Sequence, residues 1–288
     1  MTLKQALRRA RDVLIQSNVE DVHLESELLL RHTLKISRVQ LYIDLDKELS
    51  PQQEQNFWRY LERRCGGEPT AYITGHREFY GLDFYVNPNV LIPRPESELL
   101  VETALGLAKN RPLATIAEIG TGCGAIAISL ALGLPQARIY ATDISTAALK
   151  VALVNCQKHG VTGRIRLIQG NLLEPLPEPV DLIVANLPYV RKSDLAPQFE
   201  PRLALDGGSD GTERIRQLCR QADSKLRPGG SLLLEIGEGQ KRAVTALLYT
   251  LFPEGKIEVF PDLSGIDRLV SLTLADRPVQ LDTQPLHC

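Results

Sequence analysis

From Thr115 to Leu274 short apolar runs alternate with segments of helical period, and this alternation restricts the possible folds more than any other feature. The runs 115–119, 138–142, 164–169, 181–185, 230–236, 256–261 and 268–274 predict strands. Helical patterns fall between them at about 124–133, 145–159, 212–226 and 240–252. Strands separated by helices pair in parallel, with helices covering both faces of the sheet. Runs such as Leu182 to Ala185 are apolar at consecutive positions, as a strand buried on both faces requires. Only Asp262 to Asp267 separate the last two runs, which predicts an antiparallel hairpin at the sheet edge. The fold class is therefore α/β with a mostly parallel sheet. In open sheets of this kind, ligands bind beyond the carboxyl ends of the strands.

Upstream the period is helical from residue 2 to about 74. Leu3, Ala6, Leu7, Ala10, Val13 and Leu14 form one stripe, and Val22, Leu24, Leu28, Leu29 and Leu34 a second. Ser50-Pro51 starts a further helix, with serine at the cap and proline at the first helical position. It carries Phe57, Trp58, Tyr60 and Leu61 and stops at Gly66-Gly67. Phe79-Tyr80 and Leu82 to Val86 flank Gly81, so a β-hairpin is expected. Pro93-Arg94-Pro95 breaks the chain before a helix from Glu96 to Lys109. The expected domains are a partner-docking helical bundle at 1–75, a hairpin linker at 76–92, the α/β domain at 93–277 and a tail at 278–288.

Composition narrows the function classes. A net charge of −2 lacks the basic footprint of a dedicated nucleic-acid binder, so no stable nucleic-acid partner is expected. No apolar stretch approaches the ~20 residues of a membrane span. The five cysteines are spread without a C-x-x-C, and the five histidines without an H-x-x-x-H. A reducing cytoplasm is the expected compartment, and no metal is expected.

Chemistry gathers at the strand tips. The first strand of the α/β region runs into Glu118-Ile119-Gly120-Thr121-Gly122-Cys123-Gly124, where glycines at alternate positions let the backbone turn tightly against a ligand. The next helix begins at once, so its unpaired N–H groups face the same crevice. The second strand ends at Asp143, where a carboxylate can accept from both ribose hydroxyls of an adenosyl group. The loop also satisfies a relaxed dinucleotide fingerprint, which leaves the cofactor open. Two details favour S-adenosylmethionine: the acid Glu118 precedes the loop, where it suits a methionyl ammonium better than a pyrophosphate, and Gly124 takes the third alternate position. The turn after the fourth strand also has no role in hydride transfer. After the third strand, Asn171 and Leu172 can flank an adenine. The fourth strand ends at Asn186-Leu187-Pro188-Tyr189. Here the Asn186 side-chain oxygen and the Leu187 carbonyl can accept from a planar amide or amine. Pro188 fixes the turn, and Tyr189 offers a face to pack against the acceptor.

These residues resemble a known family throughout. The set is Ala71 to Gly75, Arg77 to Gly81, Leu91-Ile92-Pro93-Arg94-Pro95-Glu96-Ser97-Glu98, Glu118 to Gly124, Asp143 and Asn186 to Tyr189, with Glu200-Pro201, Ala204-Leu205 and Gly207-Gly208-x-Asp210-Gly211. Together they are similar to the PrmC (HemK) family, the peptide chain release factor N5-glutamine methyltransferases. The resemblance implies a Rossmann-like seven-stranded methyltransferase domain with a helical N-terminal domain. Its implied acceptor is the glutamine side-chain amide in the Gly-Gly-Gln loop of class I release factors. Cofactor-binding positions then map onto Gly120, Thr121, Gly122, Cys123, Gly124, Asp143, Leu172 and Asn186, and the acceptor turn onto Asn186, Leu187, Pro188 and Tyr189. The chain departs from the family's usual pattern at Leu187, where the family has Pro, and at Glu118, Asn171 and Leu172. Leu187 keeps the carbonyl its role needs; alternatively it loosens the turn. Two other functions use the same parts: N6-adenine methylation of DNA or RNA, and non-catalytic S-adenosylmethionine binding.

Overall fold

The computed structural model describes residues 1–196 and 199–275, and the expected tail at 278–288 lies outside them. The chain divides into two compact units. The first takes residues 1–77 and 85–88; the second takes 78–84 and the described residues from 89 onward. The division thus falls inside the hairpin, whose tip belongs with the α/β unit.

The first unit is a helical bundle of α1 (Leu3–Gln16), α2 (Val22–Leu34), α3 (Arg38–Ile43), α4 (Pro51–Cys65) and α5 (Thr70–Thr74). Capping boxes of Thr2 with Gln5 and Ser50 with Gln53 start α1 and α4. Leu7, Leu14, Leu29, Leu30, Phe57 and Leu61 meet in its core. The stripes expected from period were too wide. Val13 and Leu24 are 36% and 49% exposed, whereas Leu14 on α1 and Leu29 and Leu30 on α2 are fully buried. The short helices α3 and α5 carry too little period to be read from sequence.

The hairpin strands β1 (His76–Phe79) and β2 (Leu82–Tyr85) turn through Tyr80 and Gly81, both at positive φ. Phe79 and Phe84 are buried edge to face, and Phe84 also packs on His159. The Tyr80 amide donates to Glu98 Oε1 at 2.8 Å, so Glu98 holds the hairpin tip.

The second unit continues with α6 (Glu98–Asn110), β3 (Thr115–Ile119), α7 (Ala125–Gly133), β4 (Arg138–Asp143), α8 (Thr146–Lys158), β5 (Ile165–Gln169) and β6 (Val180–Ala185). It closes with α9 (Glu213–Ala222), β7 (Leu226–Glu235), α10 (Lys241–Leu251), β8 (Lys256–Pro261) and β9 (Asp267–Thr273). A 3₁₀ turn at Pro95–Ser97 precedes α6, since the prolines delay the regular helix. Helix α9 stops at Ala222, short of the expected Leu226, because that leucine opens β7.

The seven strands run in the order β5-β4-β3-β6-β7-β9-β8. The first five are parallel, while β9 pairs antiparallel with both β7 and β8. The last hairpin is therefore present, with β8 on the edge and β9 inserted beside β7. Every residue of β3 is buried, Thr115 and Glu118 included, in keeping with its central place. The strand order reverses between β3, which connects onward to β4, and β6 on its other side. The crevice beyond those two tips is where the topology leaves room for a ligand. Among the described residues, no helix is long and apolar enough to cross a membrane.

Candidate active site

The glycine-rich loop after β3 is shaped by its backbone. Gly120, Gly122 and Gly124 all have positive φ, at 75°, 55° and 85°. The amides of Gly120 and Thr121 both donate to the Thr142 carbonyl at 2.9 Å, which curls the loop over the tip of β4. A methyl group on Gly120 would lie 3.5 Å from Leu187 Cδ2 and 3.6 Å from the Asn186 carbonyl oxygen. Loop and β6 tip therefore meet at contact distance. Gly124 serves packing: a methyl group there would press on Ile128 and Ala152. From α8, buried Asn155 donates to the Cys123 carbonyl at 2.8 Å, a support the sequence reading missed.

Two carboxyl groups face this loop. Asp143 accepts from the Gly122 amide through Oδ2 and from the Ser145 amide through Oδ1, both at 2.9 Å. Its burial raises its pKa in spite of those bonds. Glu118 is 2% exposed and accepts from the Thr121 hydroxyl and from the Ala127 amide at the start of α7. Burial dominates and pushes its carboxyl up to about 8. A carboxyl kept from ionising in this way gains most from a cationic neighbour. Cys123 is buried and its thiol pushed up to about 12, so it lines the loop without thiolate reactivity.

The cleft holds about 890 Å³ of empty space, mouth included, within the usual range for small-molecule sites. Gly120, Gly122, Asp143, Asn171, Leu172 and Asn186 line it, along with Leu187 and Pro188. Leu172 is held at φ 49°, a left-handed conformation costly for a leucine, and Thr142 Oγ1 donates to its carbonyl. A smaller cavity adjoins, sharing Leu91, Gly120, Gly122 and Asn186 and adding Glu118, Thr121, Cys123, Arg94 and Ser97. Asn186 thus stands on the wall common to both. Sequence reasoning missed the lining by Val90, Pro201, Leu203, Ala204 and Arg214. For the first four the signal was their place in or beside the family-like runs at 91–98 and 200–205, and nothing in the sequence pointed to Arg214. Glu200 anchors that second run: it accepts from the Ile92 amide at 2.9 Å and pairs with Arg94. Arg94 therefore meets a local carboxylate.

The acceptor turn is braced from behind. The Val190 amide donates to the Leu205 carbonyl and the Val190 carbonyl accepts from the Gly207 amide, and a methyl group on Gly207 would come within 2.7 Å of the Pro188 carbonyl. Gln240 donates to the carbonyls of Tyr189 and Gly211 and accepts from the Gly237 amide. Asn186 Nδ2 donates to Ser97 Oγ at 2.9 Å, and Ser97 Oγ donates to Glu235 Oε2 at 2.6 Å. Tyr189 sends its hydroxyl to Glu235 Oε1 at 3.3 Å and its ring along Gly237. It braces the turn, and its ring lines neither cavity.

Strand order, glycine-rich loop, acid at the tip of β4 and polar turn after β6 define a Rossmann-like methyltransferase domain. That class of enzyme takes its methyl group from S-adenosylmethionine. The comparisons with known proteins agree and go further. Residues 5–75 match the PrmC N-terminal domain model, and residues 95–256 match the methyltransferase small domain model. A release factor glutamine methyltransferase from Moorella thermoacetica is 46% identical over 93% of this chain and 97% of its own. One from Geobacter sulfurreducens is 40% identical over 93% of this chain and 95% of its own. A methyltransferase structure from Pyrococcus furiosus shares the fold at a TM-score of 0.52 and 19% identity, covering 68% of this chain and 90% of that one. The chain belongs to the release factor glutamine methyltransferase family.

Proposed function

We propose that this protein methylates the side-chain amide nitrogen of the glutamine in the Gly-Gly-Gln loop of class I peptide chain release factors, in support of translation termination. The supporting relatives are named release factor glutamine methyltransferases and align over nearly their whole length. The observation that carries the reading is the place of Asn186: on the wall shared by two cavities, in contact with the glycine-rich loop.

The residues fit S-adenosylmethionine. The larger cavity offers Asp143 for the ribose hydroxyls, and Asn171 and Leu172 for the adenine. Gly120 to Gly124 leave the backbone bare where the ligand lies closest. In the smaller cavity Glu118, which burial keeps from ionising until a cation arrives, suits the methionyl ammonium and is a poor companion for a pyrophosphate. When bound, the cofactor supplies a sulfonium methyl that needs no further activation. The protein's work is alignment. Asn186 Oδ1 and the Leu187 carbonyl each accept one N–H of the incoming carboxamide. That grip fixes the nitrogen and returns electron density to it as it leaves planarity. Such orientation contributes ~7–11 kcal/mol to lowering a barrier. Pro188 and Tyr189 hold the turn that presents both oxygens. No side-chain base is required, because the methylated amide is acidic while still cationic and releases its proton to water.

The test is isotope transfer from labelled S-adenosylmethionine to purified release factor, with nucleic acid as the competing acceptor. Label on glutamine nitrogen is the expected result; label on adenine, or none, overturns the reading. Asn186→Ala should lower turnover by orders of magnitude while cofactor affinity falls only a few-fold.

A further inference from the structure

Two buried side chains behind the acceptor turn, Ser97 and Glu235, reach Asn186 through a relay of hydrogen bonds that the methyl-transfer scheme does not use. Ser97 comes from the turn before α6 and Glu235 from the end of β7, 138 positions later. Both are 3% exposed or less, so water does not compete for their hydrogen bonds. Ser97 Oγ sits between Asn186 Nδ2 at 2.9 Å and Glu235 Oε2 at 2.6 Å.

We infer that the charge on Glu235, passed through the Ser97 hydroxyl, decides which way the Asn186 carboxamide faces, making Ser97 and Glu235 positioning residues for transfer. This rests on the methyltransferase reading above. A carboxamide has one accepting and one donating end, and only the oxygen can receive the N–H of an incoming amide. A serine hydroxyl has a single hydrogen. While Glu235 is ionised it can only accept, so the Ser97 hydrogen goes to it. Ser97 then has only lone pairs to offer Asn186, which must turn its NH₂ inward and its oxygen toward the cavities. Once Glu235 gains a proton, it can donate to Ser97. The Ser97 hydrogen is then released toward Asn186 and draws the oxygen inward. The NH₂ left facing the cavity opposes the acceptor's N–H.

The groups facing Glu235 set where this reversal falls. Burial is the largest influence and raises its pKa, and the nearby Glu96 adds to the rise. Arg268 from β9 and the hydroxyls of Ser97 and Tyr189 oppose it. The reversal is therefore expected above the ordinary carboxylate range.

Two readouts test the relay. In ligand-free enzyme, the Asn186 side-chain NH₂ resonances should be protected from exchange at pH 8 and lose protection on a one-proton titration above the usual glutamate value. Ser97→Ala should leave them unprotected throughout. With release factor and saturating cofactor, Ser97→Ala should lower kcat about tenfold, the expected effect of stranding a buried donor. The cofactor Kd should stay within threefold, and Ser97→Thr, which restores the hydroxyl, should recover most of kcat. Glu235→Gln, which cannot titrate, should erase the acid limb of the kcat profile. Parental turnover in Ser97→Ala, or an acid limb that survives in Glu235→Gln, overturns the relay. If Ser97→Ala does not fold, the NH₂ titration and the Glu235→Gln profile decide between the same outcomes. If the unaltered enzyme transfers nothing to release factor, the proposed function fails, and the NH₂ titration in ligand-free protein still judges the relay.

Discussion

Replacing Glu118 by glutamine should separate cofactor capture from stability. In the ligand-free protein its carboxyl is pushed up to about 8, with burial the dominant cause. A bound methionyl ammonium needs that carboxyl charged, so binding at lower pH must expel a proton. At pH 6 only about 1% of a group titrating near 8 is ionised, against half at pH 8. An α-amino group titrates at about 7.7–8.0, so the affinity profile should be a bell centred near pH 8. Between pH 6 and the maximum the affinity should rise about 20-fold. Calorimetric titration with S-adenosylmethionine, repeated in buffers of different ionisation enthalpy, should count about one proton released per ligand near pH 6. In Glu118→Gln the acid limb and the released proton should both vanish.

Stability should move the other way. A folded pKa above the unfolded value contributes stability that is complete below about 4.5 and is lost as pH rises through 8. The loss at alkaline pH is on the order of 5 kcal/mol at full ionisation. Ligand-free Glu118→Gln should therefore melt higher than the parent at pH 9 and close to it at pH 5. A pH-independent cofactor affinity in the parent, with no proton released, would refute the pairing of Glu118 with the ammonium.

Three further substitutions probe the parts around it. Asp143→Asn leaves one acceptor for two backbone amides, so it should cost ~1–3 kcal/mol in melting experiments and weaken cofactor binding at least tenfold. Gly211→Ala adds a methyl 2.4 Å from the Tyr189 carbonyl at φ 78°. The acceptor turn must shift, and turnover should fall about 100-fold or more with cofactor affinity nearly retained, since ~1 Å of misplacement can cost that much. Leu187→Ala keeps the carbonyl but empties a buried contact with Gly120, so it should lose ~2–3 kcal/mol of stability. Its turnover should remain far above that of Asn186→Ala when the two are assayed side by side.

The α/β architecture was legible because its signals are local. The consecutive apolar residues at 182–185 and the run at 116–119, broken only by Glu118, bounded by asparagine and glycine, read as strands buried on both faces, and both are. The glycine-rich loop, Asp143 and the turn at 186–189 carried their chemistry in residue type and spacing, and all of them come together at the β3 and β6 tips. Less legible was the direction of each side chain. Val13 fits the helical stripe by period yet faces out, because only packing against α2 and α4 selects which flank of the stripe is covered. Tyr189 was expected against the acceptor, whereas its hydroxyl goes to Glu235, a partner 46 positions away.

What the sequence determined by itself was the order of elements, the family and the identity of the reactive groups, since each rests on neighbours within a few residues. What only the tertiary structure decided was the environment of those groups. Glu118 becomes hard to ionise because α7 and the sheet exclude water from it, and the Asn186 amide acquires a direction because Ser97 and Glu235 arrive from distant segments. Dielectric surroundings and hydrogen-bond polarity belong to the assembled interior, and no local pattern encodes them.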